Sequence, residues 1–129
     1  MKNAVLIDTD ILIDAGRGNI EAIARLLDIE TAFVLAISVI TKMEMIAGCR
    51  DKGELALLNM FLRRYATICI DEQVSETALN LFTQFRLSHN LHIPDALIAA
   101  TAIANDMPLL SKNQKDFRFI NQLRLLPFP

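Results

Sequence analysis

Carboxylates follow directly on the first apolar run of the chain, in the stretch AVLIDTDILID at residues 4–14. Asp8 ends a run with the character of a strand, and Asp10 stands two positions further on. Ligands of open parallel sheets bind beyond the carboxyl ends of the strands, which makes Asp8 a candidate site residue. Aspartate is also a preferred N-cap, so capping of a following helical turn competes with a site role, above all for Asp10. Asp14 is expected at the surface.

A second acid, Glu44, lies shortly after another apolar run, residues 32–38. Its position after a strand-like run again favours a site. Thr41 and Glu44 also match the T-x-x-E capping box, which marks the start of a helix. Both interpretations of Glu44 are open from the sequence.

Two more acids occupy comparable places in the last third of the chain. Asp95 follows Pro94 at the head of an apolar helix with no other ionisable group through residue 104. A carboxylate held near the interior needs a partner, and a metal ion is one. Asp116 stands with Ser111 and Asn113 in a polar stretch after a further strand-like run, where a solvated loop is the alternative.

The recurrence of these acids at strand ends and helix starts favours one shared site. Carboxylate oxygens without Cys or His partners suit Mg²⁺ or Mn²⁺, which bind through a few carboxylates, waters and substrate phosphates. Phosphodiester chemistry is then the natural reaction class. His89 and His92 are expected to be loop or helix-end histidines without a role in the site.

The elements that would position these residues alternate between strand and helix. Apolar runs predict strands at 4–8, 32–38, 67–70 and 108–111 and in the tail RLLPFP; helical spacing predicts helices at 19–29, 39–48, 51–65, 72–90 and 94–106. This order predicts an α/β fold, a parallel twisted sheet of four to five short strands flanked by helices on both faces. The chain of 129 residues contains no internal repeat or linker, which predicts a single domain over residues 1–129.

Composition limits the function classes. The net charge of −2 argues against a protein whose whole surface attracts nucleic acid. Neither a secretory signal nor a membrane-spanning segment is apparent, and the two cysteines suggest no disulfide framework or zinc site. We therefore expect a soluble, cytoplasmic protein.

Taken together, these segments resemble the PIN-domain ribonucleases, and within them the VapC-type toxins of toxin–antitoxin pairs. The resemblance covers nearly the whole chain and rests on LIDTDILID, SVITKMEMIAG, IPDALIAATAIAND, PLLSKNQKDF and the tail LRLLPF. The order and spacing of these pieces are far more specific than any one of them. Two positions depart from the commonest pattern of the family, since Asp10 stands where Asn or Ser is frequent and Ser111 where Thr is frequent.

The resemblance implies a PIN-like fold, one or two Mg²⁺ or Mn²⁺ ions, and hydrolysis of phosphodiester bonds in RNA as the toxin of a type II toxin–antitoxin system. It implies a cognate VapB-like antitoxin, whose C-terminal segment covers the acidic groove, and a homodimer. The residues matching the metal-site acids of the family are Asp8, Glu44, Asp95 and Asp116. Supporting roles fall to Asp10, Ser38, Thr41, Ser111 and Asn113. Closeness in sequence to a proposed site acid, and not the resemblance, makes candidate phosphate contacts of Lys42, Lys112, Lys115 and Arg118. The alternative for each of these is a solvated surface charge.

Two other function classes compete with the nuclease. DTDIL also resembles the opening of a haloacid-dehalogenase-like phosphatase, in which Asp8 would be the nucleophile and Asp10 the general acid. Against it, the chain is short for that fold and lacks a later paired-aspartate motif. The third class is a binding module in which the acids only cap helices. Metal titration separates this module from the nuclease.

Overall fold

Five short parallel strands form one sheet in the computed structural model, which describes residues 3–129. The strands are β1 (Ala4–Ile7), β2 (Val34–Ser38), β3 (Ala66–Ile68), β4 (Leu109–Leu110) and β5 (Leu125–Leu126). They lie in the order β3-β2-β1-β4-β5, so that β1 is central. The predicted fold class is confirmed, and the tail supplies the fifth strand.

The helices pack on both faces of this sheet. They are α1 (Thr9–Gly16), α2 (Ile20–Glu30), α3 (Val39–Ala47), α4 (Lys52–Phe61), α5 (Glu72–His89), α6 (Ile93–Ala104) and the short α7 (Gln114–Phe117), with a 3₁₀ turn at Leu62–Arg64. The predictions of α2 to α6 are confirmed to within a few residues. The sequence interpretation missed α1 and α7. It also ended the third strand two residues too late.

Alternation along the strands divides the core into two layers. Leu6 and Ala36 pack against α5 and α6, whereas Val5, Ile7 and Leu35 face α1 and α2. The predicted stripe of α5 is buried in the first layer, and it comprises Val74, Ala78, Leu81 and Phe85. Helix α6 also runs through this layer, which explains its apolar composition.

The register of the central strands brings their carboxyl ends level. Ile7 pairs with Leu110, and the amide of Asp8 donates to the Leu110 carbonyl at 2.9 Å. The next residue of each chain segment is therefore Asp8 on one strand and Ser111 on its neighbour. Strand β2 ends beside them at Ser38.

Within residues 3–129, no helix combines the length and the apolar character needed to cross a bilayer.

Candidate active site

Asp8 is a buried carboxylate at the end of β1, with 5% of its surface exposed. It is the N-cap of α1, where its Oδ1 accepts from the Thr9 amide at 2.8 Å, and its Oδ2 accepts from the Ser111 hydroxyl at 2.7 Å. Burial, followed by the charge of Asp10, raises its pKa to about 7, although both hydrogen bonds oppose the shift. The capping role and a site role therefore fall on the same side chain.

Asp10 ties α1 to the segment that follows β4. Its Oδ2 accepts from the Asn113 amide at 3.2 Å, and its Oδ1 accepts from the Lys112 amide at 3.4 Å. Burial raises its pKa, and the backbone donors, first among them the Lys112 amide, oppose the rise. Asp10 lies in the first turn of α1, so the capping role that competed for it belongs to Asp8.

Glu44 is exposed on α3 and joins the site through a threonine. The Thr9 hydroxyl donates to Glu44 Oε1 at 2.7 Å and lies 3.0 Å from the hydroxyl oxygen of Thr41. The capping-box interpretation of Thr41 and Glu44 is wrong, because α3 begins at Val39 with Ser38 as its N-cap. The hydroxyl of Ser38 is occupied in that cap, where it accepts from the Ile40 amide at 3.1 Å.

Asp95 stands in the first turn of α6 and is half-buried. Burial and then the charge of Asp116 raise its pKa to about 6. His92 opposes this rise, whereas the charges of Glu44 and Asp10 add to it. Asp116 is exposed on α7. The charges of three acids from α1, α3 and α7 therefore act on Asp95 of α6, so these elements bring their acids near one another.

The candidate phosphate contacts differ in their surroundings. The ammonium group of Lys112 lies 2.7 Å from Asp14 Oδ2. Within residues 3–129, the side chains of Lys42, Lys115 and Arg118 form no ion pair. Lys115 lines a pocket together with Asp95 and Asp116. The structure therefore places Lys115 beside the acids with its charge available.

The donor set suits a hard cation in its chemistry. Its side chains offer carboxylate oxygens, and the charges of Asp10 and Asp95 both raise the pKa of Asp8. The acids do not form a ready-made cage: in the described part of the chain, no three His, Cys, Asp or Glu side chains are grouped closely enough to hold a metal ion. A cation at this edge would therefore bind through few protein ligands at once, as Mg²⁺ commonly does.

Two residues of this region were missed by sequence reasoning. Thr9 bridges α1 to Glu44, and Asp14 holds Lys112, although it was expected at the surface and is in fact half-buried. The signal for Asp14 was its spacing of four residues from Asp10, which places both on one face of a helix. That signal could be used only once α1 had been predicted.

Comparison with known proteins gives one consistent family. A model of the PIN domain family matches residues 5–121. Ribonuclease VapC19 of Mycobacterium tuberculosis is 34% identical over 121 residues, which are 92% of this chain and 96% of that protein. Among solved structures, a toxin–antitoxin complex from Klebsiella pneumoniae contains a chain with 33% identity and a TM-score of 0.78, and the match covers 95% of this chain and 96% of that one.

A second solved structure is VapBC2 from Rickettsia felis bound to a DNA fragment from its promoter, with 25% identity and a TM-score of 0.83. This match covers 98% of this chain and 99% of that one. The fold, the acidic edge of the sheet and the extent of these matches agree. The chain belongs to the PIN-domain family, in which its relatives are VapC ribonucleases.

Proposed function

We propose that this protein is a metal-dependent endoribonuclease that acts as the toxin of a type II toxin–antitoxin pair in the cytoplasm. The observation that carries the proposal is the convergence of Asp8, Asp95 and Asp116 at the carboxyl edge of the sheet, where burial and like charge raise the pKa of Asp8 to about 7 and that of Asp95 to about 6. A bound cation would reduce this electrostatic repulsion and would stabilise the ionised form of the buried carboxylates. Relatives with the name ribonuclease VapC support the reaction class.

The proposed metal ligands are Asp8, Glu44, Asp95 and Asp116, which would hold one or two Mg²⁺ or Mn²⁺ ions. Nucleases of this family generally depend on a divalent metal. When bound, the metal lowers the pKa of a water and stabilises the charge that develops on the phosphodiester.

The remaining polar residues orient these acids. Ser111 and the Thr9 amide each occupy one oxygen of Asp8, which fixes the plane of its carboxylate. The Thr9 hydroxyl donates to one oxygen of Glu44 and also lies within hydrogen-bond distance of the Thr41 hydroxyl. Asp10 secures the backbone at Asn113, the residue whose carbonyl accepts from the Asp116 amide at 3.1 Å. Positioned ligands are what a metal site requires of its surroundings.

The proposed substrate is single-stranded or loop RNA. Lys115 borders Asp95 and Asp116, and within residues 3–129 it forms no ion pair, which makes it our first candidate for a phosphate contact. Lys42 and Arg118 remain candidates, whereas Lys112 would have to leave Asp14 to reach a phosphate.

A VapB-like antitoxin is the proposed protein partner. Its proposed seat is an apolar groove of about 410 Å³ between α1, α3 and α4, which reaches Glu44 at one end. Two large apolar side chains that line this groove, Leu57 and Ile13, remain exposed. The toxin–antitoxin complex among the solved relatives supports a partner of this kind.

The proposed homodimer would use the face of α5 and α6. Leu79 and Ile93 are 66% and 62% exposed there, beside a shallow apolar pocket of about 280 Å³. Leu79→Asp should shift the protein to monomer in light scattering. An unchanged mass would remove this face from consideration.

The test of the nuclease is an RNA cleavage assay in Mn²⁺ or Mg²⁺. We expect Asp8→Asn, Glu44→Gln and Asp95→Asn to lose activity by about 100-fold or more, since each removes a ligand that stabilises developing charge. Asp106→Asn is the matched control, because Asp106 lies at the opposite end of the sheet with its side chain fully exposed. Equal activity in all four variants and the wild type would refute the proposed site.

The family match removes the basis of the phosphatase alternative, and the carboxylate of Asp10 is directed at backbone amides rather than held as a general acid. The binding-module alternative predicts no Mn²⁺ binding and unchanged stability of Asp95→Asn. Calorimetry of the wild type with Mn²⁺ decides between that alternative and the nuclease.

A further inference from the structure

A pocket of about 310 Å³ opens beside the proposed metal-site acids, on the side of α6. One wall is the turn from His89 to His92 between α5 and α6, and the other is made by Asp95, Lys115 and Asp116. The acids therefore form one boundary of a space that extends beyond them. A substrate that reaches the acids from this side has to pass through the pocket.

The imidazole of His89 is exposed in this pocket and yet is held in place. It stacks on Phe119, with ring centroids 4.2 Å apart and planes 16° from parallel, and it makes a T-shaped contact with Phe85. The Ser88 hydroxyl lies 2.8 Å from its Nδ1. An exposed side chain ordinarily samples several rotamers, so these contacts produce a pre-oriented aromatic surface. Such a surface is suited to stacking with a planar ring.

Polar side chains of the pocket add groups that could contact the phosphate of a nucleotide. Among the residues that the structure describes, Lys115 has no ion-pair partner, and His92 lines the same pocket three residues before Asp95. Aromatic platforms flanked by basic side chains bind single-stranded nucleic acids, because each base has a face that can stack and each phosphate has a charge. An acidic peptide could pair with the ammonium group of Lys115, but it has no nucleobase to stack on His89.

We propose that this pocket binds the nucleotide next to the cleaved phosphodiester, with its base stacked on His89 and its phosphate at Lys115 and His92. The proposal rests on the proposed ribonuclease function and adds to that site a pocket that recognises a nucleobase. Single-stranded RNA is thereby favoured over paired RNA, since a paired base is not free to stack in a pocket.

The test measures RNA binding without cleavage, in the Glu44→Gln background, because Glu44 lies outside this pocket. The probes are a fluorescein-labelled RNA 12-mer of mixed sequence and a 12-mer of the same length whose ribose units carry no bases. We expect His89→Ala to weaken binding of the base-containing RNA by about 5- to 100-fold and to leave the abasic strand unaffected. His89→Phe keeps an aromatic face and should restore binding.

Lys115→Ala should weaken binding of both strands and reduce the salt dependence by about one phosphate contact. The matched controls are Gln84→Ala on the exposed face of α5 and Lys52→Ala at the start of α4, both of which should bind like the background protein. Urea unfolding of each variant excludes a general loss of structure.

Three outcomes would overturn the proposal: unchanged RNA binding by His89→Ala, an equal loss of binding for the abasic strand, and displacement of the RNA by a poly-glutamate peptide as effectively as by unlabelled RNA. Cleavage by the wild type combined with any of these would leave the nuclease intact and remove only the pocket. If the binding pattern holds and the wild type does not cleave RNA, the nucleotide pocket stands and the proposed reaction fails.

Discussion

A carboxylate removed from water is difficult to ionise, and Asp8, at the end of β1, has only 5% of its surface exposed. Two hydrogen bonds favour its charged form, but burial outweighs them and its pKa is about 7 instead of 3.8. The folded chain therefore binds a proton at Asp8 more tightly than the unfolded chain does. Folding and ionisation of this residue oppose each other.

The first prediction is a pH dependence of stability that Asp8→Asn removes. With a raised pKa, the contribution of Asp8 to stability is fully present below about pH 4 and is lost as pH rises to about 7, by up to about 4 kcal/mol. Asp95, with its pKa of about 6 and its greater exposure, adds a smaller effect in the same direction. Urea unfolding of the wild type and Asp8→Asn from pH 4.5 to 8 measures the difference between them.

We expect the free energy of unfolding of Asp8→Asn to rise steadily relative to that of the wild type up to about pH 7. Above that pH the difference between the two proteins should stay constant. Addition of Mn²⁺ at pH 8 should stabilise the wild type and leave Asp8→Asn almost unchanged, because the metal favours the ionised carboxylate. Parallel pH profiles over the whole range would show that Asp8 titrates normally.

At the scale of elements, the site depends on a connection between the start of α1 and the segment after β4. Asp10 accepts from the amides of Lys112 and Asn113, and Asp14, one turn later, holds the Lys112 side chain. The first connection holds two backbone amides, whereas the second holds only a side-chain ion pair that is partly open to solvent. Two acids on one helix thus offer a matched comparison.

The second prediction follows from that comparison. Asp10→Ala should accelerate hydrogen exchange at the amides of Lys112 and Asn113 and lower RNA cleavage by about 10- to 100-fold, since small displacements of site groups are expensive in rate. Asp10→Asn keeps one acceptor oxygen, so its exchange rates and its cleavage activity should lie between those of the wild type and Asp10→Ala. Exchange is measured residue by residue in NMR.

Asp14→Ala is the control for this prediction, because a surface ion pair contributes about 0–1 kcal/mol. We expect normal exchange at both amides in this variant. If Asp10→Ala and Asp14→Ala behave alike, the backbone connection has no role in ordering the segment.

The elements also show where sequence interpretation succeeds. Apolar runs and helical spacing predicted β1, β2 and the α5 stripe, because burial imposes a period on the side chains. Helix α1 was missed since its acids, Asp10 and Asp14, interrupt the apolar pattern over only eight residues. The short α7 lies in a stretch so polar that its composition favours a loop.

The candidate site was predictable in part for a similar reason. Strand ends can be read from the sequence, and a parallel sheet brings them to one edge, where the Ser111 hydroxyl donates to Asp8. The contact of Thr9 with Glu44 joins residues 35 positions apart, and no local pattern encodes it. Pairings of this kind depend on the packing of α1 against α3, which only the tertiary structure specifies.

Charge acts at the scale of the whole molecule. The formal net charge is −2, and without the four proposed site acids the remaining chain carries +2. The acids lie at the carboxyl edge of the sheet, where an RNA phosphate would approach. The net charge therefore understates the affinity of the metal-loaded protein for RNA.

The third prediction concerns RNA binding without metal. At pH 8 in EDTA, Asp95→Asn should bind a single-stranded RNA about fivefold more tightly than the wild type, since it removes one negative charge near the phosphate. The advantage should disappear as pH falls through about 6, the pKa of Asp95, because the wild-type carboxyl is then also neutral. With Mg²⁺ present, the wild type should bind RNA more tightly than Asp95→Asn, because the wild type binds a cation that the variant binds poorly. Fluorescence anisotropy at fixed ionic strength measures all three conditions.

Asp106→Asn makes the same change of charge at the opposite edge of the sheet. Asp106 has a backbone φ of +51°, a conformation that asparagine also adopts readily, so the substitution should not disturb the fold. Its ion pair with Arg124 is exposed and contributes little. If Asp95→Asn and Asp106→Asn bind RNA equally in EDTA, the RNA affinity depends only on the total charge, and the acids at the carboxyl ends of the strands do not face the RNA. A gain confined to Asp95→Asn would place the phosphate at the edge where the chain gathers its acids.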